Sequence, residues 1–179
     1  MTLETERLIL RDLTMEDKEA IFGYRSDAET NQFQSWIPKE IEEVEALILR
    51  NSQKEFNQPE TWYQLLITDK NTGDIIGDAG VHFIGSDHQQ VEFGITLNKE
   101  HHHKGYASEA LKGLINLMFK DLKKHRITTS VDPGNISSLQ LMERIGFRKE
   151  GHFVKSLYLN GVWVDDVIYA VLAEEWMEQ

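Results

Sequence analysis

A short segment, residues 102–110, combines residue types that are suited to holding an anion. It contains Lys104 and Gly105, and small residues follow them. If a helix begins here, its N-terminus carries unpaired N–H groups and the positive end of the helix dipole, which together favour a phosphate. The segment is neither a G-x-G-x-x-G nor a Walker A sequence, so Gly105 could also serve only to turn a strand into a helix beside a solvated Lys104.

The flanking residues predict the elements that would hold this segment. Apolar residues at every second position indicate a half-buried strand before it, and apolar residues at helical spacing indicate a helix after it. The strand residues are Val91, Phe93, Ile95 and Leu97, and the helix residues are Ala107, Ala110, Leu111, Leu114, Ile115 and Met118.

The same reasoning predicts, along the chain, a strand, two helices, three strands, a helix, a strand, a helix and a final hairpin. Thr14 with Asp17 reads as a capping box, Gly146 as a helix stop, and Asn160-Gly161 as a type I′ turn. This order suits an α/β (α+β) fold, in which a mixed, mostly antiparallel twisted sheet carries helices on both faces. No repeat or linker interrupts it, so we expect one domain over residues 1–179.

Composition narrows the classes of function. At 179 residues and 40% hydrophobic content, the chain can bury a sizeable core. It has no apolar run near the ~20 residues that cross a bilayer and no secretory segment, so we expect a cytoplasmic protein without a membrane partner. The lack of cysteine excludes disulfides, thiolate metal sites and a cysteine nucleophile. A net charge of −11 argues against a nucleic-acid partner and favours cationic partners such as amines, although solubility alone also explains it.

Residues 93–110 resemble motif A of the GCN5-related N-acetyltransferases (GNAT), whose pattern Gln/Arg-x-x-Gly-x-Gly/Ala binds the diphosphate of acetyl-CoA through backbone amides. Residues 104–107 match the core of that pattern, and His102 stands at the usual Gln/Arg position. Other segments resemble, in the family's order, the branch that acetylates the N-termini of ribosomal proteins (the RimJ/RimL type). These segments are residues 5–11, 73–77, 135–138 with 146–148, 160–165 and 169–176.

The resemblance implies where acetyl-CoA would bind. The strand of residues 91–97 and that of residues 127–131 would run parallel but splay apart at one end, and the pantetheine arm would bond to the open edge of the first strand. The diphosphate would lie on the segment that follows. The implied cofactor-binding residues are Ile95, Thr96, Leu97, His102, His103, Lys104, Gly105, Tyr106, Ala107, Ser108 and Asn135. Asn135 follows Pro-Gly at a helix start, so it is also a natural N-cap.

Acyl transfer to an amine needs a proton acceptor, N–H donors for the oxyanion and a proton donor for the thiolate. Ser138 matches a serine of the RimJ/RimL type and is the expected donor, because Met142 stands where many family members place a tyrosine. Glu92 is the best-placed acid, since it shares a strand face with the small residues Gly94 and Thr96. Alternatively, Ser138 is only a polar residue of its helix, and Glu92 is only a solvated carboxylate. The N–H groups near Thr96 and Leu97 are the expected oxyanion donors.

The resemblance further implies an acetyl-CoA-dependent N-acetyltransferase that works by direct transfer in a ternary complex, with the α-amine of a ribosomal-type protein N-terminus as acceptor. A small amine (aminoglycoside, polyamine or amino acid) or a non-catalytic acetyl-CoA-binding module are the alternatives. An open groove would favour a peptide, and a closed acidic pocket would favour a small cation. Homo-oligomer formation stays open. The histidines of residues 101–103 lack companions at ligand spacing, so we expect no metal.

Overall fold

An eight-stranded sheet organises the chain, which the computed structural model describes over residues 1–178. The strands are β1 (Thr2–Glu4), β2 (Leu8–Asp12), β3 (Thr61–Asp69), β4 (Ile75–Ile84), β5 (Gln90–Leu97), β6 (Arg126–Val131), β7 (Arg148–Leu159) and β8 (Val162–Leu172). Their spatial order is β1-β2-β3-β4-β5-β6-β8-β7. The neighbours β5 and β6 are parallel, and the other pairs are antiparallel.

Helices cover both faces of this sheet. They are α1 (Lys18–Arg25), α2 (Ile41–Ser52), α3 (Tyr106–Asn116), α4 (Ile136–Ile145) and α5 (Ala173–Met177). Leu65 and Ile67 of β3 belong to the core that α3 and α4 cover, whereas Leu66 between them packs with α1 and α2. This alternation follows from the two-residue period of a strand, and it confirms the predicted sheet with helices on both faces.

The parallel pair β5–β6 separates after three paired positions. The register runs Gln90↔Arg126, Val91↔Ile127 and Glu92↔Thr128, and pairing stops there. Strand β5 nevertheless stays paired with β4 as far as Gly77↔Leu97. Its other edge therefore opens onto a gap, which confirms the expected splay.

Local signals placed most elements correctly. Thr14 and Asp17 form the predicted capping box, at a 3₁₀ turn (Met15–Asp17) that leads into α1. Asn160 and Gly161 have φ of 50° and 88°, the left-handed sense that a type I′ turn requires. The sequence did not predict β1, nor the π-helical turn (Leu117–Asp121) that prolongs α3. Within residues 1–178, none of the helices is both long and apolar enough for a membrane span.

Gly77 fixes how closely β4 approaches β5 at the gap. A Cβ at this position would lie 2.2 Å from the carbonyl oxygen of Thr96 and 2.8 Å from the Cα of Leu97. Because both are backbone atoms, the strands themselves would have to shift. We expect Gly77→Ala to lower the free energy of unfolding by about 1–3 kcal/mol, the usual range for overpacking.

Gly23 provides the matched control, since it lies inside α1 and a Cβ there meets nothing within 4 Å. Gly23→Ala should raise the free energy of unfolding by about 0.5–1 kcal/mol through helix propensity. Urea unfolding followed by circular dichroism measures both. Equal shifts of the two midpoints would contradict the close approach of β4 to β5.

Candidate active site

The open edge of β5 presents main-chain groups to the gap. The carbonyl of Val91 accepts a hydrogen bond from the Thr128 hydroxyl of β6 at 3.4 Å, so Val91 faces β6. Past the strand end, the Asn98 N–H donates to the Ile76 carbonyl of β4 at 2.9 Å. Because successive residues of a strand turn their N–H and C=O groups to opposite edges, every second residue after Val91 faces the gap. These residues are Phe93, Ile95 and Leu97.

Thr96 has a different orientation from the one that the oxyanion role requires. By the same alternation its N–H faces β4, so of the two expected donors only Leu97 offers its N–H to the gap. The Thr96 side chain is buried, and its hydroxyl has no hydrogen-bond partner within residues 1–178. What Thr96 could offer a ligand is therefore a hydroxyl rather than an amide.

A narrow cavity lies between the separated strands. It is lined from both strands and from the helices that cover this face, by Phe93, Gly94, Ile95, Leu111, Thr129, Met142 and Phe147. Its walls are mostly apolar side chains, while the edge of β5 supplies polar backbone groups. That combination suits a slender chain that carries amide groups.

The segment between β5 and α3 is exposed along residues 102–105, and α3 begins at Tyr106. Gly105 has φ of 81°, a left-handed conformation that favours glycine. The first intrahelical bond runs from the Glu109 N–H to the Gly105 carbonyl at 3.1 Å. The N–H groups of residues 106–108 therefore lack intrahelical partners, as they must at a helix start. The His102 ring lies against the end of β5, with Nε2 3.1 Å from the carbonyl oxygen of Leu97.

Arg7 and Glu109 form a hydrogen-bonded clamp on this segment, and neither residue was predicted from the sequence to be part of the site. One oxygen of the Glu109 carboxylate accepts bonds at 2.6 Å from the Thr5 hydroxyl and the Arg7 N–H, and the other accepts from Arg7 Nε at 2.6 Å. The Arg7 guanidinium also donates to the Lys104 carbonyl at 3.0 Å and lies 4.6 Å from the centre of the Tyr106 ring. Arg7 thus fixes both sides of Gly105 and adds positive charge there.

The clamp also keeps Glu109 ionised near the helix start. Burial acts to raise the pKa of Glu109, but the hydrogen bonds from Thr5 and Arg7 outweigh it and hold that pKa below its usual range. For a depressed carboxyl pKa, the stabilisation is complete above the unfolded-state value of about 4.3 and is lost as pH falls through the lower folded value. At neutral pH the clamp is therefore fully charged.

Glu92 stands where β5 and β6 part, on the sheet face that α1 and α2 cover. Its carboxylate is 29% exposed, and Oε2 lies 3.6 Å from Nδ1 of His82 on β4. Two residues further along the same face, Gly94 is exposed, and a Cβ there would meet nothing within 4 Å. Glu92 therefore borders an open space at the closed end of the gap.

Ser138 and Asn135 lie on the opposite face, at the start of α4. The side-chain oxygen of Asn135 accepts a bond from the Ser138 N–H at 3.2 Å, so Asn135 is the N-cap. Ser138 precedes Met142 by one turn on the same helix face, and Met142 lines the cavity in the gap. Ser138 is half-buried at the rim and is not itself a lining residue. Glu92 and Ser138 thus flank the gap from different faces.

A buried ionic network centred on Asp78 of β4 lies on the sheet face that α1 and α2 cover. Asp78 accepts hydrogen bonds from the side chains of Tyr24, Arg25 and Gln64. Burial raises the pKa of the Tyr24 hydroxyl, and the Asp78 charge raises it further. The centre of the Trp36 ring lies 5.8 Å from the Arg25 guanidinium. Asp78 is fully engaged by these partners.

The part of the chain that the structure describes contains no cluster of three or more His, Cys, Asp or Glu side chains that could hold a metal ion. The larger pocket, of about 700 Å³, lies beside α1 and the segment after β5, where Asp27 pairs with Lys99 at 2.9 Å. It does not include the residues of the gap.

Comparisons with known proteins agree with this geometry. Residues 7–148 match the family model of the acetyltransferase (GNAT) domain. An uncharacterized N-acetyltransferase of Bacillus subtilis, YnaD, is 32% identical over 177 residues, covering 98% of this chain and 99% of the relative. The ribosomal protein uS5-alanine N-acetyltransferase of Escherichia coli is 31% identical over 124 residues, covering 68% and 63%. The structure of spermidine N-acetyltransferase from Vibrio cholerae with CoA and spermine has a TM-score of 0.82 at 23% identity, covering 96% and 98%, which shows a shared fold.

Substitution of Gly105 tests the anion site. Asparagine and aspartate both tolerate the left-handed conformation, so they share its strain and differ by one charge. We expect Gly105→Asp to bind acetyl-CoA on the order of 10²-fold more weakly than Gly105→Asn, because like charges at contact distance repel by several kcal/mol. Isothermal titration calorimetry measures both affinities. Equal affinities would show that the diphosphate does not lie on this segment.

Proposed function

The chain belongs to the GNAT acetyltransferase family and is an N-acetyltransferase, and we propose that it moves the acetyl group of acetyl-CoA to the α-amine of a protein N-terminus, ribosomal in type. The transfer is direct and takes place in a ternary complex. In this proposal, residues 1–179 form one N-acetyltransferase domain, and the protein is cytoplasmic, as the sequence suggests. Homo-oligomer formation stays open.

The residues of the gap fit acetyl-CoA. The unpaired edge of β5 offers the N–H and C=O groups that an amide-bearing arm needs, and the Thr96 hydroxyl lies buried without a partner within residues 1–178. The open N–H groups at the start of α3 suit a diphosphate, with Arg7 and Lys104 adding positive charge. In this arrangement Ile95 and Leu97 hold the arm, and residues 102–108 hold the diphosphate. The thioester supplies the acetyl group.

The position of Glu92 carries the catalytic part of the proposal. It borders the gap where β5 and β6 part, beside the open space over Gly94, so an amine placed there meets both the carboxylate and the end of the gap. Glu92 accepts the proton from the amine, directly or through a water. A terminal α-amine, with a pKa near 8, needs little assistance near neutral pH. Ser138 donates a proton to the departing thiolate from the other face.

The carboxylates beside the open space over Gly94 favour an acceptor with a single amine over a polyamine. Asp78, on the same sheet face, is engaged by Arg25, Tyr24 and Gln64. Glu92, with His82 beside it, borders that space with a partly exposed carboxylate. A polyamine carries several charges and would be held best by several free carboxylates, whereas a peptide N-terminus carries one at its tip. The relative that acetylates the alanine of a ribosomal protein supports the same choice.

An acceptor panel tests the proposal. Release of free thiol from acetyl-CoA is followed with peptides that begin with alanine or serine, with the same peptides blocked at the N-terminus, and with spermidine. We expect the free peptides to give kcat/KM at least about tenfold above spermidine and the blocked peptides to give none. A preference for spermidine, or no turnover with any peptide, would overturn the N-terminal acceptor.

Ser138→Ala tests the thiolate donor, with Ser137→Ala as the control, since Ser137 is the exposed neighbour on the same helix. Loss of a general acid lowers kcat by ~10²–10⁴-fold. We expect a fall at the lower end of that range for Ser138→Ala, with unchanged acetyl-CoA affinity, and no change for Ser137→Ala. If kcat survives in both variants, Ser138 has no role in the proton transfer.

A further inference from the structure

His82 faces the proposed proton acceptor, and neither motif nor resemblance pointed to it. It lies on β4 directly opposite Glu92 in the antiparallel register, so both side chains emerge on the same sheet face. Its Nδ1 lies 3.6 Å from Glu92 Oε2, slightly beyond hydrogen-bond distance. Catalytic hydrogen bonds are often that long before substrate binds, and they tighten in the complex.

The environment of His82 holds this nitrogen in position. Nδ1 is buried and has no hydrogen-bond partner within residues 1–178, so the Glu92 carboxylate is the polar group that its geometry offers it. The Trp62 ring of β3 stacks on the imidazole, with centroids 4.7 Å apart and planes 11° apart. Trp62 in turn lies over Gly80, where its ring atoms come within 3.2 Å of the position of a Cβ. The imidazole therefore has one well-defined orientation.

The other charged groups near the pair already have partners. Lys54, which follows α2, donates to the Trp62 carbonyl at 2.7 Å. Arg126, on the same face of β6, is paired with Glu150. The His82 side chain is 24% exposed and that of Glu92 is 29% exposed, so each retains a side towards the open space over Gly94.

The proton balance of the reaction shows why two adjacent proton acceptors, Glu92 and His82, are useful. An acceptor that arrives as an ammonium must lose two protons to become an amide, one before its nitrogen attacks the thioester carbon and one as the C–N bond forms and the C–S bond breaks. One proton is regained by the thiolate sulfur and the other passes to solvent. A single carboxylate holds one proton at a time, whereas a carboxylate with an adjacent imidazole holds two.

We propose that His82 is the proton-accepting partner of Glu92. Glu92 takes a proton from the acceptor amine and passes it to His82 Nδ1, and the imidazolium then releases a proton to solvent from Nε2, which restores the carboxylate for the second proton. The inference rests on the proposed acetyl transfer but not on the identity of the acceptor. His82 acts through Glu92 and is in that sense a positioning residue, and Trp62 keeps its ring in place.

The test compares His82→Gln and His82→Phe with His125→Gln, whose histidine is exposed outside the site. Phenylalanine keeps an aromatic ring against Trp62, and glutamine keeps a polar side chain, so a failure of one variant to fold leaves the other. Each is assayed with whichever acceptor the wild-type enzyme uses best, whether peptide or spermidine. The assay therefore stands even if the N-terminal acceptor is wrong.

We expect both His82 variants to lose kcat/KM for the acceptor by about 10²-fold, with acetyl-CoA affinity unchanged by calorimetry and His125→Gln at the wild-type value. The loss should fall in kcat, with the acceptor KM within about twofold of the wild-type value, because the relay acts on proton transfer and not on acceptor binding. Activity within about twofold of wild type, or a loss that appears in KM alone, would show that His82 only packs against Trp62.

Discussion

The parting of two parallel strands is the constraint on which the rest of the site depends. Strands β5 and β6 share three register positions and then separate, although each remains paired along its other edge, β5 with β4 and β6 with β8. The separation is therefore not a frayed end of the sheet. Leu111, Met142 and Phe147 line the gap from one face.

Such a gap has an energetic consequence. Each backbone donor or acceptor that is taken from water without a partner costs about 1–3 kcal/mol, and the edge of β5 carries several of them beside a mostly apolar cavity. A ligand with amide groups spaced along a slender chain relieves this cost, and water or a bulky apolar group does so less well. In the proposed complex the backbone of β5 recognises the pantetheine arm, so side-chain substitutions act on that recognition only indirectly.

The sequence predicted the features that local chemistry determines. The predicted strand of Val91–Leu97 lies within β5, and the Thr14–Asp17 box and the Asn160-Gly161 turn are present. Contacts between residues that are far apart in the sequence could not be predicted from it. Arg7 and Glu109 are 102 positions apart, and the pairing of His82 with Glu92 depends on the register of β4 on β5. The N–H direction of Thr96 was misjudged for a similar reason, since it follows from which neighbour the strand pairs with.

The division of the proposed proton-transfer groups between two faces follows from the same geometry. Glu92 and His82 lie on the face of α1 and α2, and Ser138 lies at the start of α4 on the other. A continuous sheet would separate such groups completely, because no side chain reaches through paired strands. Where β5 and β6 are unpaired, the two faces communicate through the gap, so an amine that enters from one side and a thiolate that leaves on the other can share one carbonyl carbon. The proposed direct transfer in a ternary complex suits such a site, since the two faces give each substrate a surface of its own.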